Sequence, residues 1–271
     1  MEKLIRLGST GDNVRHLQNL LKELGYGINV DGICGPKTVE AIKNYQKSKK
    51  LKVDGIVGPA TLSMLEKDKK SKEIINNDLK LKESDFIRAS ENLGVSVAAI
   101  KAVLEVESGK LGGFLSNGDP VILFEGHIFW SQLKKKGINP EKYVKGNEDI
   151  LYSKWTTSYY LGGDKEYNRL NKAIKIEPES ALSSASWGLF QIMGFNYKAC
   201  GYDNVFDYVE DMKKSEGKQL DAFISFIKSN GWDKYLKNLD WAGFASKYNG
   251  PKYKDGKYDE KLKNAYKKYA V

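Results

Sequence analysis

Residues 28–38, Ile-Asn-Val-Asp-Gly-Ile-Cys-Gly-Pro-Lys-Thr, recur 23 positions later as Leu-Lys-Val-Asp-Gly-Ile-Val-Gly-Pro-Ala-Thr at 51–61, with seven of eleven positions identical. The identities include both glycines and the proline, whose backbone limits make them the least interchangeable residues. Asp31-Gly32 and Asp54-Gly55 suit tight turns, and Gly-Pro-x-Thr suits a helix start with Pro in its first turn, so each copy predicts a turn and then a helix. Apolar spacing agrees. Val14, Leu17, Leu20, Leu21 and Leu24 make one helical stripe ahead of the first copy, and Val39, Ala41, Ile42 and Tyr45 make another behind it. The N-terminus is therefore expected to fold as a small repeat domain of three helices. Asp31 and Asp54 either cap these turns or take part in binding; each turn offers one carboxylate, too few for a calcium loop.

The chain has 271 residues, enough for two domains, and no run of about 18 apolar residues, so a soluble protein is expected. Its start, Met-Glu-Lys-Leu-Ile-Arg-Leu-Gly, leads into the repeat without the apolar stretch of a secretory leader. Cys34 and Cys200 fall in different halves and are expected to be reduced thiols. His16 and His127 have no ligand partner at helical spacing and Cys200 has no nearby His, so neither a zinc amidase nor a cysteine peptidase is indicated; no metal and no cofactor are expected. The net charge of +9 is uneven, because residues 247–271 carry eight lysines against Asp255, Asp259 and Glu260. Such a basic tail suits a polyanion. It equally suits a solvated helix with Leu262, Ala265, Tyr266 and Tyr269 on its packed face.

Lys67–Glu73 is a charged run with no apolar face and reads as a linker, which divides the chain into residues 1–67, a linker over 68–80, and a second domain over 81–271. That domain has helical periodicities broken by Gly and Asn clusters, with one strand expected at Val121–Phe124 after the turn Asn117-Gly118-Asp119-Pro120. The fold class is mainly α with a small β element. Ser96 is a good N-cap for Val97–Ser108, and Ile100, Val103, Leu104 and Leu111 form one stripe into which Glu107 falls, while Glu105 points nearly the opposite way. A carboxyl group against an apolar face loses hydration of its charged form and keeps its proton toward neutral pH, as a general acid requires. By periodicity alone, Glu107 is equally a structural carboxylate satisfied near the helix end.

The N-terminal pattern Leu7-x-x-x-Gly11-x-x-Val14-x-x-Leu17-Gln18-x-x-Leu21, followed by the two Asp-Gly-Ile-x-Gly-Pro-x-Thr turns, resembles the peptidoglycan-binding domain of cell-wall hydrolases. Ala102–Gly109 resembles the segment that carries the catalytic acid in goose-type lysozymes and soluble lytic transglycosylases, where the acid immediately precedes Ser; this places the acid at Glu107 and not Glu105. Ser186–Met193 resembles their Gly-Leu-Met-Gln segment and Lys247–Pro251 their Ala-Tyr-Asn-Ala-Gly segment. With Ile122–His127 and Asp240–Ala245 added, the second domain looks like the N-acetylmuramidase domain of modular phage endolysins.

The resemblance implies a lysozyme-like α+β domain with a short β-hairpin, and a hydrolase that cuts the β-1,4 bond between N-acetylmuramic acid and N-acetylglucosamine. Glu107 is then the proton donor, with Ser186, Trp187, Gln191, Tyr248 and Asn249 lining the cleft and contacting substrate. Glu125, at the end of the expected strand, is the first candidate for a second catalytic group and Asp119 the next. Should neither reach, the enzyme is a lytic transglycosylase, in which a hydroxyl of the sugar itself attacks. A non-enzymatic wall-binding protein on a lysozyme-like scaffold is the remaining alternative. The implied partners are peptidoglycan glycan strands and, through the basic tail, anionic cell-envelope polymers, with no nucleic acid and a monomeric state. The implied setting is the host bacterial cytoplasm until lysis, then the periplasm and cell wall.

Overall fold

In the computed structural model, which describes residues 4–108 and 112–270, each copy of the repeated turn is closed by a buried glutamine. Gln18 on α1 (Asp12–Glu23) accepts from the Gly32 N–H at 2.8 Å and donates to Asp31 Oδ1 at 2.7 Å and the Ile33 carbonyl at 3.0 Å. Gln46 on α2 (Pro36–Ser48) makes the same three bonds, to the Gly55 N–H at 2.9 Å, Asp54 Oδ1 at 2.9 Å and the Ile56 carbonyl at 3.0 Å. The turns need glycine twice over. Gly32 and Gly55 sit at φ +78° and +73°, and a Cβ at either would come within 2.9 Å of Arg15 or Val39. Cys34 and Val57 occupy equivalent buried positions, each bonded to the N-terminal segment, through Gly8 and Ser9 in one copy and Ile5 in the other.

The stripes on α1 and α2 bury Val14, Leu17, Leu20, Leu21, Ala41, Ile42 and Tyr45 together. The charged run after the second copy is helical, forming the later turns of α3 (Pro59–Leu79). Its polar groups find partners on α1 and α2: Asp68 accepts from the Tyr45 hydroxyl at 2.8 Å, and Lys69 pairs with Glu23 at 2.9 Å. The chain divides into two compact units, residues 1–78 and 79–271.

The second unit is mainly helical: α4 (Glu83–Leu93), α5 (Val97–Glu107), α6 (Gly126–Lys135), α7 (Glu166–Ile174), α8 (Pro178–Ser183), α9 (Val205–Met212), α10 (Glu216–Ser229), α11 (Asp233–Lys237), α12 (Trp241–Tyr248) and α13 (Tyr258–Tyr269). A small antiparallel sheet runs in the order β1 (Ile122–Phe124), β2 (Ala185–Trp187), β3 (Ile192–Met193). The mainly α fold with a small β element is the one expected, and β1 lies where the sequence puts a strand. Its partner comes from far along the chain, with Ile122 opposite Trp187 and Phe124 opposite Ala185; the hairpin itself is β2–β3. Strand side chains alternate, so Ala185 and Trp187 enter the core while Ser186 takes the other face. Ser96 caps α5 through the Ala99 N–H; Ile100 and Val103 of the expected stripe are buried, Leu104 is half-buried, and Leu111 lies outside the described residues. α5 packs against α4 and α13, and Leu262 and Ala265 bury the apolar face of α13.

Two charged residues sit at the centre of this unit. Glu166 and Arg169, one turn apart on α7, are almost wholly buried and paired at 2.8 Å. Glu166 also accepts from the N–H groups of Phe124, Leu161 and Gly162, while Arg169 donates to the carbonyls of Phe124 and Asp149. Together they fix β1 and both ends of the long irregular segment between α6 and α7. Removing one partner strands the other's charge, so Glu166→Gln is expected to destabilise the second unit by about 3–5 kcal/mol. Gln46→Ala, which strands the Gly55 N–H, is expected to cost the first unit about 1–3 kcal/mol. Scanning calorimetry on the full chain checks both, each substitution lowering the transition of its own unit only.

Candidate active site

Glu107 is the last residue of α5, on the helix's packed side, and its carboxyl is mostly shielded from water. Burial pushes its pKa up from the ordinary 4.5 to about 7, against the pull of the positive charge of Lys261 on α13. Partial negative charge on the carbonyls at a helix C-terminus disfavours the ionised form further. Among the described residues a single side-chain donor reaches it: Asn249 Nδ2 donates to Oε1 at 3.0 Å. Glu105, two residues earlier, is exposed and bonded to Lys268 and Tyr269 of α13, which hold its carboxyl below the usual carboxylate range. The two glutamates occupy different faces, as the periodicity predicts.

Asn249 is the C-cap of α12, directly after Tyr248. The Tyr248 ring is wedged among Phe223, Trp232 and Phe244 at centroid distances of 5.5, 6.3 and 5.8 Å, which fixes the position of its neighbour. Its hydroxyl donates to the Phe190 carbonyl at 3.4 Å, and its pKa is raised by burial and then by the nearby Glu107 charge. Phe190 belongs to the β2–β3 turn, so α5, α12 and that turn meet around the Glu107 carboxyl.

The turn is built tightly. Gly188 has φ +66° and a Cβ there would come within 2.5 Å of Gln219, whose Oε1 accepts from the Leu189 N–H at 2.7 Å. Gln191 adopts φ +48°, an uncommon conformation for a residue with a side chain. Its amide stabilises that geometry by accepting from Ser186 Oγ at 2.7 Å and donating to the Gly188 carbonyl at 2.7 Å and the Val121 carbonyl at 3.1 Å. Ser186 and Gln191 thus form a bonded pair, with Gln191 exposed at the turn. Trp187 is 2% exposed and donates its indole N–H to the Leu182 carbonyl, so it is a core side chain beneath the turn.

Glu125 lies elsewhere. The turn is bonded to Val121 ahead of β1, and Glu125 follows the strand's other end, about 13 Å further along an extended chain. Among the described residues no hydrogen bond or ion pair joins Glu125 to Glu107, Gln191, Tyr248 or Asn249. Both its oxygens accept from the Tyr160 hydroxyl, at 2.7 and 2.8 Å, and His127 Nδ1 lies 3.3 Å away without hydrogen-bond alignment. Asp119 is held in its own turn by Asn117. Hydrogen bonds thus join Asn249 to Glu107, and Tyr248 to the turn that carries the Ser186–Gln191 pair, while Glu125 stands at the other end of β1.

Sequence reading counted Lys261 only as part of the basic tail and missed Gln219 and Tyr160. A lysine on an exposed helix face and a tyrosine in an irregular segment carry no periodic signal, and Gln219 stands on α10 far from the turn it supports. No group of three or more His, Cys, Asp or Glu side chains among the described residues is placed to hold a metal ion. In the first unit, a depression of about 460 Å³ beside the first repeat turn is lined by residues that include Asn29, Asp31, Ile33 and Lys37.

Comparison with known proteins places these features. The N-acetylmuramidase family matches residues 96–270, and the peptidoglycan binding domain family matches residues 10–65. The crystal structure of the Burkholderia AP3 phage endolysin is 39% identical, covers 99% of this chain and 99% of its own, and superposes with a TM-score of 0.67. A peptidoglycan-binding protein from Clostridioides difficile, solved with glutamine hydroxamate, is 43% identical over 23% of this chain and 40% of its own, with a TM-score of 0.23. No curated protein matches the chain. With one family matched over most of its length and a solved relative aligned end to end, the chain belongs to the N-acetylmuramidase family.

Proposed function

We propose that this chain cleaves the β-1,4 bond between N-acetylmuramic acid and N-acetylglucosamine, with Glu107 as proton donor. Family membership carries the coarser statement: the chain is a lysozyme-type glycoside hydrolase acting on peptidoglycan. The single observation behind the finer one is a buried carboxyl with its pKa near 7, one amide donor, and a strained, bonded turn beside it. By the same reading, residues 1–67 attach to the wall, residues 81–271 do the chemistry, and the chain acts as a monomer, made in the host cytoplasm and working on the wall at lysis.

The hydrogen bond from Asn249 occupies Oε1 of Glu107 and leaves the proton on Oε2, free to pass to the leaving glycosidic oxygen. Cleavage then passes through an oxocarbenium-like state, which an inverting enzyme closes with water on the opposite face of the sugar. Tyr248 holds Asn249 in place and is bonded to the turn that Gln191 braces. A second reading on the same bond has a hydroxyl of the muramic acid attack, so that an anhydro sugar forms. Mass spectrometry of the released fragments separates the two, since hydrolysis adds one water and the intramolecular route adds none.

Glu107→Gln keeps the size of the side chain but cannot give a proton, so wall lysis is expected to fall at least about 100-fold. The wild type needs Glu107 protonated, so its activity should decline as pH rises through about 7. Stability should follow the same group. Glu107 holds its proton more tightly folded than unfolded, so stability falls between pH 4.5 and about 7 and is flat above. Glu107→Gln removes this loss, and its melting temperature should exceed that of the wild type above pH 7, by the equivalent of up to about 3 kcal/mol. Equal pH profiles for the two proteins would count against the assignment.

The exposed lysines of α13 we assign to anionic wall polymers. Lys263 and Lys267 are exposed, while Leu262 and Ala265 keep the helix docked. Replacing both with Gln should flatten the fall of lytic activity with salt, which screens exposed charges over about 8 Å at physiological ionic strength. Circular dichroism should show the fold unchanged.

A further inference from the structure

The chain holds three Asn-Gly pairs, Asn117-Gly118, Asn230-Gly231 and Asn249-Gly250. Before glycine, an asparagine side chain is open to attack by the following backbone nitrogen, because glycine has no Cβ in the way and its dihedrals turn freely. Folding treats the three pairs differently. The Gly118 N–H donates to the Leu115 carbonyl at 3.0 Å, and the Gly231 N–H to the Lys228 carbonyl at 3.0 Å. The Gly250 N–H makes no hydrogen bond among the described residues.

Asn230 and Asn249 isolate that difference. Each is the C-cap of its helix, with φ −87° and ψ −2° in the first and φ −93° and ψ −4° in the second. The glycine that follows is left-handed in both, at φ +66° and +82°. Both side chains are tied as well, Asn230 Nδ2 donating to the Phe226 carbonyl at 2.8 Å and Asn249 Nδ2 to Glu107 Oε1 at 3.0 Å. What remains is the attacking nitrogen. A bonded N–H must leave its carbonyl before it loses its proton and approaches the side chain, whereas that of Gly250 has no bond to break. A Cβ built on Gly250 would meet nothing within 4 Å, so the pair has room to turn into line.

We propose that Asn249-Gly250 is a site of spontaneous deamidation through which the enzyme dismantles its own active site with age. The Gly250 nitrogen gives its proton to a solvent base and bonds to Cγ of Asn249. The bond from Cγ to Nδ2 breaks, and that nitrogen takes a proton and leaves as ammonia. Water then opens the cyclic imide at either carbonyl, giving aspartate or isoaspartate, so that one water enters and one ammonia departs overall. Either product removes the amide that donates to Glu107 and sets a second carboxylate near it, where like charges compete for one proton. Isoaspartate also adds a main-chain carbon at the end of α12. The effect on catalysis rests on the reading of Glu107 as the acid, while the modification itself does not.

The test incubates the full chain at mildly alkaline pH in water labelled with heavy oxygen, which marks conversion during the incubation and not during digestion. Trypsin places each pair on its own peptide, Tyr248–Lys252 for the third. Asn249 should convert at least about fivefold faster than Asn117 and Asn230, the factor that one hydrogen bond supplies. In concentrated urea the three rates should converge. Wall lysis should fall in step with conversion at Asn249, and Asn249→Asp made outright should lyse walls at least about tenfold more slowly. Gly250→Ala, whose methyl group hinders ring closure, should keep Asn249 unconverted, as read by peptide mass. Equal rates at the three pairs in the folded chain, or undiminished lysis once Asn249 has converted, would overturn the proposal. Full lysis by Glu107→Gln would instead refute the reading of Glu107.

Discussion

The catalytic unit depends on a buried ion pair that is not part of the candidate active site. Glu166 and Arg169 are neighbours on α7, and between them they bond the backbone of β1, of Asp149 and of Leu161-Gly162. An unpaired charge in that position would be costly, and the pair alone would barely offset the loss of hydration. It is sustained because nearly every oxygen lone pair and guanidinium N–H has a partner. Arg169 also lies over the Phe124 ring at 5.3 Å, so the strand is held through its side chain as well as its backbone. β1 in turn registers β2, and β2 leads into the turn beside Glu107. A charge pair on one helix thus sets where the turn on another element stands.

Three shielded glutamates in this unit, two buried and one partly buried, show how surroundings decide a carboxyl's role. Glu166 has three N–H donors and an arginine. Glu216 accepts from Lys80 and from the N–H groups of Leu81 and Gly113, tying the start of the unit to α10. Glu107 has one neutral amide and a distant lysine. The first two are satisfied as anions and serve the fold. The third is shielded without being satisfied, and that shortage makes it a proton carrier near neutral pH. Donor count and burial both separate the cases, since Glu166 and Glu216 are buried outright while Glu107 is partly buried.

Much of this was legible from periodicity. The stripes on α1 and α2, the two faces of α5 and the strand at Ile122–Phe124 all follow from local spacing, and local spacing survives folding when the element is amphipathic. Glu166 also falls on a stripe, with Arg169, Leu170 and Ala173 buried beside it, but charges at core positions blur the apolar pattern and α7 was not read from the sequence. β2 was not legible, because Ala185–Trp187 is three residues long and gains its structure from a partner more than 60 positions earlier. The irregular stretch around Trp155 and Tyr160 has no period at all. Its shape is written in Glu166, Glu125 and Arg169, residues outside the stretch itself. Glu125 shows the limit of reading a site from order along the chain: it follows the strand as expected, at the end away from the turn.

The glutamine clasps of the first unit share three bonds but differ in their spans, and Gln18 adds a fourth bond to Thr38 Oγ1. Gln18 reaches a turn 13 residues away and Gln46 one only 8 away, because the first copy carries extra chain between helix and turn. The repeat pairs Ile28 and Asn29 with Leu51 and Lys52, so the additional residues lie between Gln18 and Ile28, where α1 runs on to Glu23 while α2 stops at Ser48, two residues past Gln46. The same clasp therefore closes over connections of two lengths. Glutamine, aspartate and glycine fix the turn, and the chain between helix and turn only has to be long enough to return.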